Sequence, residues 1–198
     1  MDDKLNPQDG VSALLIKTAP PVTDSAHAAG VYHFDCYDAD GNLLWHEDAP
    51  NTVTTEGMNF MLQTTFTGSA YTVTGPFMGL ISSVSWSATA SSDTMASHPG
   101  WTEAGSTNAP AYTVGGNANR ASAPFGTAAS GTISLSSSLT FTFTANGTVE
   151  GAFVVLGSGA VNTWGNTSGS LWSAAQFAGG AQTVSSGNQL VVSYSTSL

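Results

Sequence analysis

Basic side chains are almost missing from this chain. Three Lys or Arg stand against thirteen Asp or Glu, a formal net charge of −10. A phosphate-reading surface needs clustered cations, so nucleic acid is not an expected partner. Cys36 is the single cysteine, which rules out an intrachain disulfide framework and leaves the fold to rest on its hydrophobic core. No stretch approaches the roughly 18 to 20 apolar residues of a membrane helix. The chain opens Met1-Asp2-Asp3-Lys4 without a cationic apolar leader. A soluble protein made in the cytoplasm, with no membrane partner, is therefore expected.

What charge there is lies unevenly. Asp2, Asp3, Asp9, Asp24, Asp35, Asp38, Asp40, Glu47, Asp48 and Glu56 precede Gly57, whereas Asp93, Glu103, Arg120 and Glu150 are the only charged side chains after it. The remaining exterior must be built from Ser, Thr, Asn and Gly. Such an ion-poor surface suits a protein packed against others better than a free monomer, which mixed charges keep apart.

At 198 residues the chain can close one core and carry one extension. Residues 1–28 combine scattered acids, the Ala19-Pro20-Pro21 break and an isolated apolar run at 11–16. They read either as an unanchored tail or as an extended arm that lays Leu14, Leu15 and Ile16 on a neighbouring subunit. Residues 29–198 read as a single β-sandwich domain. Within it, Asp40-Gly41 predicts a two-residue hairpin turn that pairs Cys36 with Trp45 and Asp35 with His46. That register puts Tyr32, Phe34, Cys36, Leu43 and Trp45 on one face, and His33, Asp35, His46 and Asp48 on the other.

Period 3.6 follows at Met58, Met61, Leu62, Thr65 and Phe66, predicting a helix over 55–66 with Thr54 or Thr55 as its N-cap and Glu56 in its first turn. Residues 77–81 read as a buried strand, and 82–130 as long loops with short strands. Strict alternation at 139–144, then Asn146-Gly147, predicts a second hairpin. A bulged three-residue loop there pairs Phe143 with Val149 and keeps Glu150 off the apolar face. Strands at 171–177 and 190–194 complete the set. One helix, many short strands and no βαβ rhythm predict a mainly β antiparallel sandwich, jelly-roll-like.

Chemistry-bearing clusters are few. His33, Asp35, His46 and Asp48 share a face on which cross-strand neighbours lie about 5 Å apart, a donor set that suits zinc, but a solvated polar face needs no ligand and no metal is expected. Residues 93–103 gather Asp93, Ser97, His98, Trp101 and Glu103. Adjacent Ser97 and His98 do not make a triad by neighbourhood, and G-x-S-x-G is absent. A structured loop, with backbone groups capped by Asp93, Thr94 and Ser97 and pinned by Trp101, is the expectation. Asp93 with Glu103 as a glycosidase pair, and Trp86, Trp101, Trp164 and Trp172 as sugar platforms, are the competing readings. No catalytic residue and no cofactor are expected.

The order of motifs adds a resemblance. Asn51-x-Val53-x-x-x-Gly57-x-Asn59-x-x-Leu62 is followed by Gly79-Leu80-Ile81, then Asp93-Thr94-Met95-x-Ser97-His98-x-Gly100-Trp101-x-Glu103. Arg120, Gly151-Ala152-Phe153, Gly169-x-Leu171 and Gly187-Asn188-x-Leu190 complete the series. Together they resemble head decoration or cement proteins, virion proteins of tailed bacteriophages, over about residues 50–198. The resemblance implies a non-enzymatic, jelly-roll-like protein on the capsid exterior, assembled in the host cytoplasm. It implies clamping of neighbouring major capsid protein subunits, as a dimer or trimer. This chain has Gly187-Asn188 where the family pattern reads Gly-Asp. On this reading the partner-binding residues are Leu14, Leu15 and Ile16 of the arm and Asp93, His98, Trp101 and Glu103 of the loop, with Trp101 as anchor. A tail-fibre or receptor-binding module that recognises host glycans is the alternative, since both would share a fold class.

Overall fold

A computed structural model describes residues 28–67, 74–105 and 107–198. The expected arm, with Leu14, Leu15 and Ile16, lies outside the described residues. In chain order the elements are β1 (Ala29–Tyr37), β2 (Leu43–Pro50), β3 (Thr52–Val53), α1 (Thr55–Phe66), β4 (Phe77–Ser82), β5 (Thr102–Glu103) and β6 (Tyr112–Thr113). There follow β7 (Ala121–Ser122), β8 (Thr132–Ser134), β9 (Leu139–Phe143), β10 (Gly147–Leu156), β11 (Ser170–Gln176), β12 (Gln182–Val184) and β13 (Gln189–Ser197). They form two antiparallel sheets. Sheet A runs β2-β1-β13-β9-β6, with β8 also on β13, and sheet B runs β3-β11-β10-β4-β5, with β12 on β10 and β7 on β4.

Alternation explains the inner core. Tyr32, Phe34 and Cys36 of β1, Phe141 and Phe143 of β9, and Leu190, Val192 and Tyr194 of β13 face Met78 and Leu80 of β4 and Val149, Ala152 and Val154 of β10. A buried hydroxyl network ties the sheets together. Tyr32 Oη and Tyr194 Oη both bond Ser173 Oγ, at 2.8 and 3.1 Å, and Tyr194 Oη accepts from Trp172 Nε1 at 2.9 Å and Asn51 Nδ2 at 2.8 Å. Burial raises both tyrosine pKa values, so the network stays neutral.

Sheet B is covered on its other side as well. Ile81, Phe153, Val155, Leu171 and Ala174 pack outward against Met95 and Trp101 from the β4–β5 connection and Ala160 from the β10–β11 connection. Two-sided burial is why β4, β10 and β11 read as near-continuous apolar runs rather than alternating ones. At Gly79 an added Cβ would stand 2.5 Å from the Phe153 ring and 2.9 Å from Glu103 Oε1, so only glycine lets that ring and that carboxylate approach the sheet.

Three expectations need correction. The pairing of Cys36 with Trp45 and Asp35 with His46 is present, but a bulge at Cys36/Tyr37 makes the turn longer than two residues. Asp38 organises it, its Oδ1 accepting from Asp40 N and Asn42 N and its Oδ2 from Asn42 Nδ2. These bonds, the Asn42 amide first, hold the Asp38 carboxyl below its usual range. The bulge also turns Leu43 out to solvent instead of inward. Secondly, β9 and β10 are not a hairpin. β9 pairs with β13 and β6 in sheet A, and β10 pairs with β11, β12 and β4 in sheet B, so Asn146-Gly147 is a corner between layers. Burial on both faces of β10 outweighs the local turn signal, and Glu150 sits at a bulge of β10 against β4.

The third correction is the helix face. The bounds and Thr54 cap agree with expectation, the Thr54 hydroxyl accepting from Gly57 N at 3.0 Å and donating to the Leu171 carbonyl. The inward stripe, however, is Gly57, Phe60, Met61 and Thr64. Gly57 decides this: an added Cβ would lie 2.7 Å from the Trp172 carbonyl oxygen, so glycine permits the close approach of α1 to β11 and rotates Met58, Leu62 and Phe66 outward.

Candidate functional site

The 93–103 block was the sharpest sequence cluster, and the structure folds it inward. Asp93 Oδ2 accepts from Ala90 N at 2.9 Å and from the Trp101 indole Nε1 at 2.9 Å. The Trp101 ring is 2% exposed, stacks on His98 at 3.8 Å between centroids and tilts against Phe153 at 5.1 Å. His98 Nδ1 bonds the Trp101 carbonyl at 2.9 Å. Thr94 Oγ1 accepts from Ser97 N at 2.9 Å. Asp93 is thus turned to the indole and His98 to a backbone oxygen, so the Ser–His–Asp arrangement is not formed. The capped, tryptophan-pinned loop expected from the sequence forms with Asp93 and Thr94 as the capping side chains, while Ser97 takes part through its backbone.

Glu103 and Arg120 make the second half of this assembly. Arg120 Nε donates to Glu103 Oε1 at 2.8 Å and Nη2 to Oε2 at 2.7 Å, a bidentate fork buried in the fold. The remaining donors reach the carbonyls of Val161, from Nη1 at 3.1 Å, and Asn166, from Nη2 at 2.7 Å, while Glu103 Oε2 also accepts from Gly165 N at 2.8 Å. The guanidinium lies over the Phe153 ring, 5.3 Å from its centroid, and Trp101 contacts the same ring. Glu103 therefore ties the β10–β11 connection to sheet B. A cleft of about 180 Å³ opens beside it, lined by His98, Glu103 and Trp164. Both carboxylates of the supposed glycosidase pair are buried and held by internal donors, Asp93 through Oδ2 and Glu103 through both oxygens.

Glu56, assigned to the dipole of α1 by its position, does more than that. Its Oε2 accepts from Met95 N at 3.0 Å and Leu171 N at 2.7 Å, which fastens the helix start to the 93–103 block and to β11. The second cluster has the opposite character. His33, Asp35, His46 and Asp48 do share the outer face of β1–β2, with His33 Nδ1 2.5 Å from Asp48, His46 Nδ1 2.7 Å from Asp35 and His46 Nε2 3.2 Å from Asp48. These side chains are solvent-facing. The bond to Asp35 raises the His46 pKa, and the bond from His33 lowers that of Asp48. Among the described residues no group of three or more His, Cys, Asp or Glu is arranged to hold a metal ion.

The exposed part of the fold that chemistry alone does not explain is the outer side of α1. Met58, Leu62 and Phe66 are 36%, 50% and 79% exposed and fall at i, i+4 and i+8, a stripe about 12 Å long at 1.5 Å per residue. Neutral Asn59, Gln63 and Thr65 flank it, and the helix's only charged side chain is the inward-bonded Glu56. Leu43 and Leu44 at the β1–β2 tip are also about half exposed.

Of the expected partner-binding residues, the structure brings Asp93, His98, Trp101 and Glu103 into one region but buries all except His98, whose ring is stacked on Trp101. Trp101 is a core side chain of this chain and not an exposed anchor. Trp172 is likewise buried, which removes two of the four rings from a sugar platform. Sequence reasoning missed the exposed helix stripe because it used Met58, Leu62 and Phe66 only as the 3.6-period pattern that marks the helix. The available signal was Gly57 followed by Phe60, Met61 and Thr64, an equally regular stripe with a glycine at the point of closest approach. No family model, curated protein or solved structure matches the chain.

Proposed function

We propose that this chain is a non-catalytic structural component of a viral particle, a capsid decoration or cement protein. On this reading it seats on the outer capsid surface, as a dimer or trimer, and stabilises contacts between major capsid protein subunits. The finer likeness of its sandwich to a jelly roll belongs to the same reading. The observation that carries it is the outward stripe Met58, Leu62 and Phe66, a large apolar face with no free ion on its helix. Such a face can be covered by another protein without desolvating charge, and it is a liability on a protein that stays alone in water. The internal use of Asp93, Glu103, Arg120 and Glu56 supports the reading from the other side. Charged groups of the 93–103 region hold the fold and leave a Ser/Thr/Gly exterior for packing.

The test is the composition of purified virus particles. The chain is expected in stoichiometric amount, reachable from outside by a labelled antibody in electron micrographs. Particles that lack the polypeptide, or specific capture of the isolated chain on a glycan array, would overturn the proposal in favour of a free enzyme or a glycan-reading module.

A further inference from the structure

Separate from the outward stripe, an apolar groove of about 540 Å³ opens where α1 meets the end of the sandwich. Met61, Phe125, Ile133, Leu156 and Trp172 line it, and Thr196 borders it. Its size falls within the roughly 300–1,000 Å³ of sites that enclose a small ligand or a few side chains. We propose that the groove is a docking site for the chain's own N-terminal run at 11–16, Val11-Ser12-Ala13-Leu14-Leu15-Ile16.

Three observations converge on this occupant. First, the chain enters the sandwich at the groove's border, because Thr196 Oγ1 donates to the Ala29 carbonyl at 3.0 Å and Gly30 pairs with Thr196 across β1–β13. Second, the reach is ample: Ala28 lies twelve positions after Ile16, about 40 Å when extended, and less is needed to fold back to a groove that starts beside Ala29. Third, the chemistry matches. The sequence is uncharged from Gly10 to Ile16, between Asp9 and Lys17, so an ion-free segment meets an apolar lining. A short tether gives an effective concentration of order millimolar, so at micromolar protein the chain's own segment outcompetes that of a second copy. The inference does not depend on the particle reading.

The full-length chain carrying Leu15→Cys and Ile133→Cys tests it. Cys36 is buried, with its thiol pushed up to about 11 by burial, and does not compete for the oxidant. Mild oxidation at low micromolar protein is expected to give a cross-link within one chain, read as a monomer of closed-loop mass. A cross-link between two chains, or none in protein with the parent circular dichroism, would overturn the proposal. As an independent readout, Leu15→Asp in the full chain is expected to increase hydrophobic-dye binding and amide exchange around Phe125 and Ile133 by about tenfold or more, since burying one such side chain is worth at least a decade in equilibrium constant. Unchanged exchange and dye binding in that folded variant would equally overturn it.

Discussion

The outer faces of the two sheets carry similar side chains and treat them in opposite ways. On sheet A, His33, Asp35, His46 and Asp48 pair with one another in solvent. On sheet B, Asp93, His98, Trp101, Glu103 and Arg120 lie under the β4–β5 and β10–β11 connections, bonded to indole, guanidinium and backbone. The residue types alone do not decide between these outcomes. Covering does: once loops close over Phe153, the charged and imidazole groups beneath them need partners inside, and Asp93, His98, Glu103 and Arg120 find them within the chain. A cluster of acid, imidazole and aromatic ring in sequence can thus be a fastening rather than a site.

The contrast yields graded expectations. The largest effect falls on Arg120→Met, which strands the Glu103 carboxylate in the interior and should cost about 3–5 kcal/mol in urea unfolding. Adding Glu103→Met to it should recover part of that loss, because the uncompensated charge is gone. A cost for Arg120→Met no larger than that of a surface substitution would mean that sheet B's outer face is as open as sheet A's.

Next comes Trp101→Phe, which keeps a ring against Phe153 but takes one donor from the buried Asp93 carboxylate. A loss of about 1–3 kcal/mol is expected, read by the same unfolding midpoint. Glu150→Gln runs in the other direction. Glu150 is 6% exposed and burial raises its pKa above the ordinary value near 4.5, so folding favours its protonated form. In the window above 4.5 the wild type therefore loses stability as pH rises through the raised value, whereas the amide does not. Glu150→Gln should melt a few degrees higher at pH 7, with the gap closing below pH 4.5. Smallest is His46→Gln on sheet A. Because Asp35 raises the His46 pKa, the wild-type contribution is full below about pH 6.5 and fades as pH rises through the raised value. The variant's deficit should follow that course and stay minor, as solvent and salt screen the pair.

Much of the sandwich was legible in the sequence, where a local signal and burial agreed. Period-2 alternation placed Tyr32, Phe34 and Cys36 inward, and the His33/Asp35/His46/Asp48 set came out on one face as expected. The 55–66 helix and its Thr54 cap were legible for the same reason. Reading failed where a long-range contact overrode a short-range cue. Asn146-Gly147 looks like a hairpin turn, yet β10 is buried on both faces and pairs with β4 and β11 instead of β9. The face of α1 was set by the approach of Gly57 to Trp172, a partner more than a hundred residues away, which periodicity cannot see. The buried fate of Trp101 and Glu103 hung on Phe153 and Arg120, whose proximity nothing local announces.

Assembly through the outward side of α1 is tested most directly by particle occupancy of the triple variant Met58→Ser, Leu62→Ser, Phe66→Ser, measured beside its melting temperature. These side chains lie on the exposed side of the helix and outside both buried clusters, so melting should shift modestly, while occupancy falls by at least about tenfold as their burial against a partner is lost. Undiminished occupancy in a variant that melts like the wild type would contradict the role given to this helix.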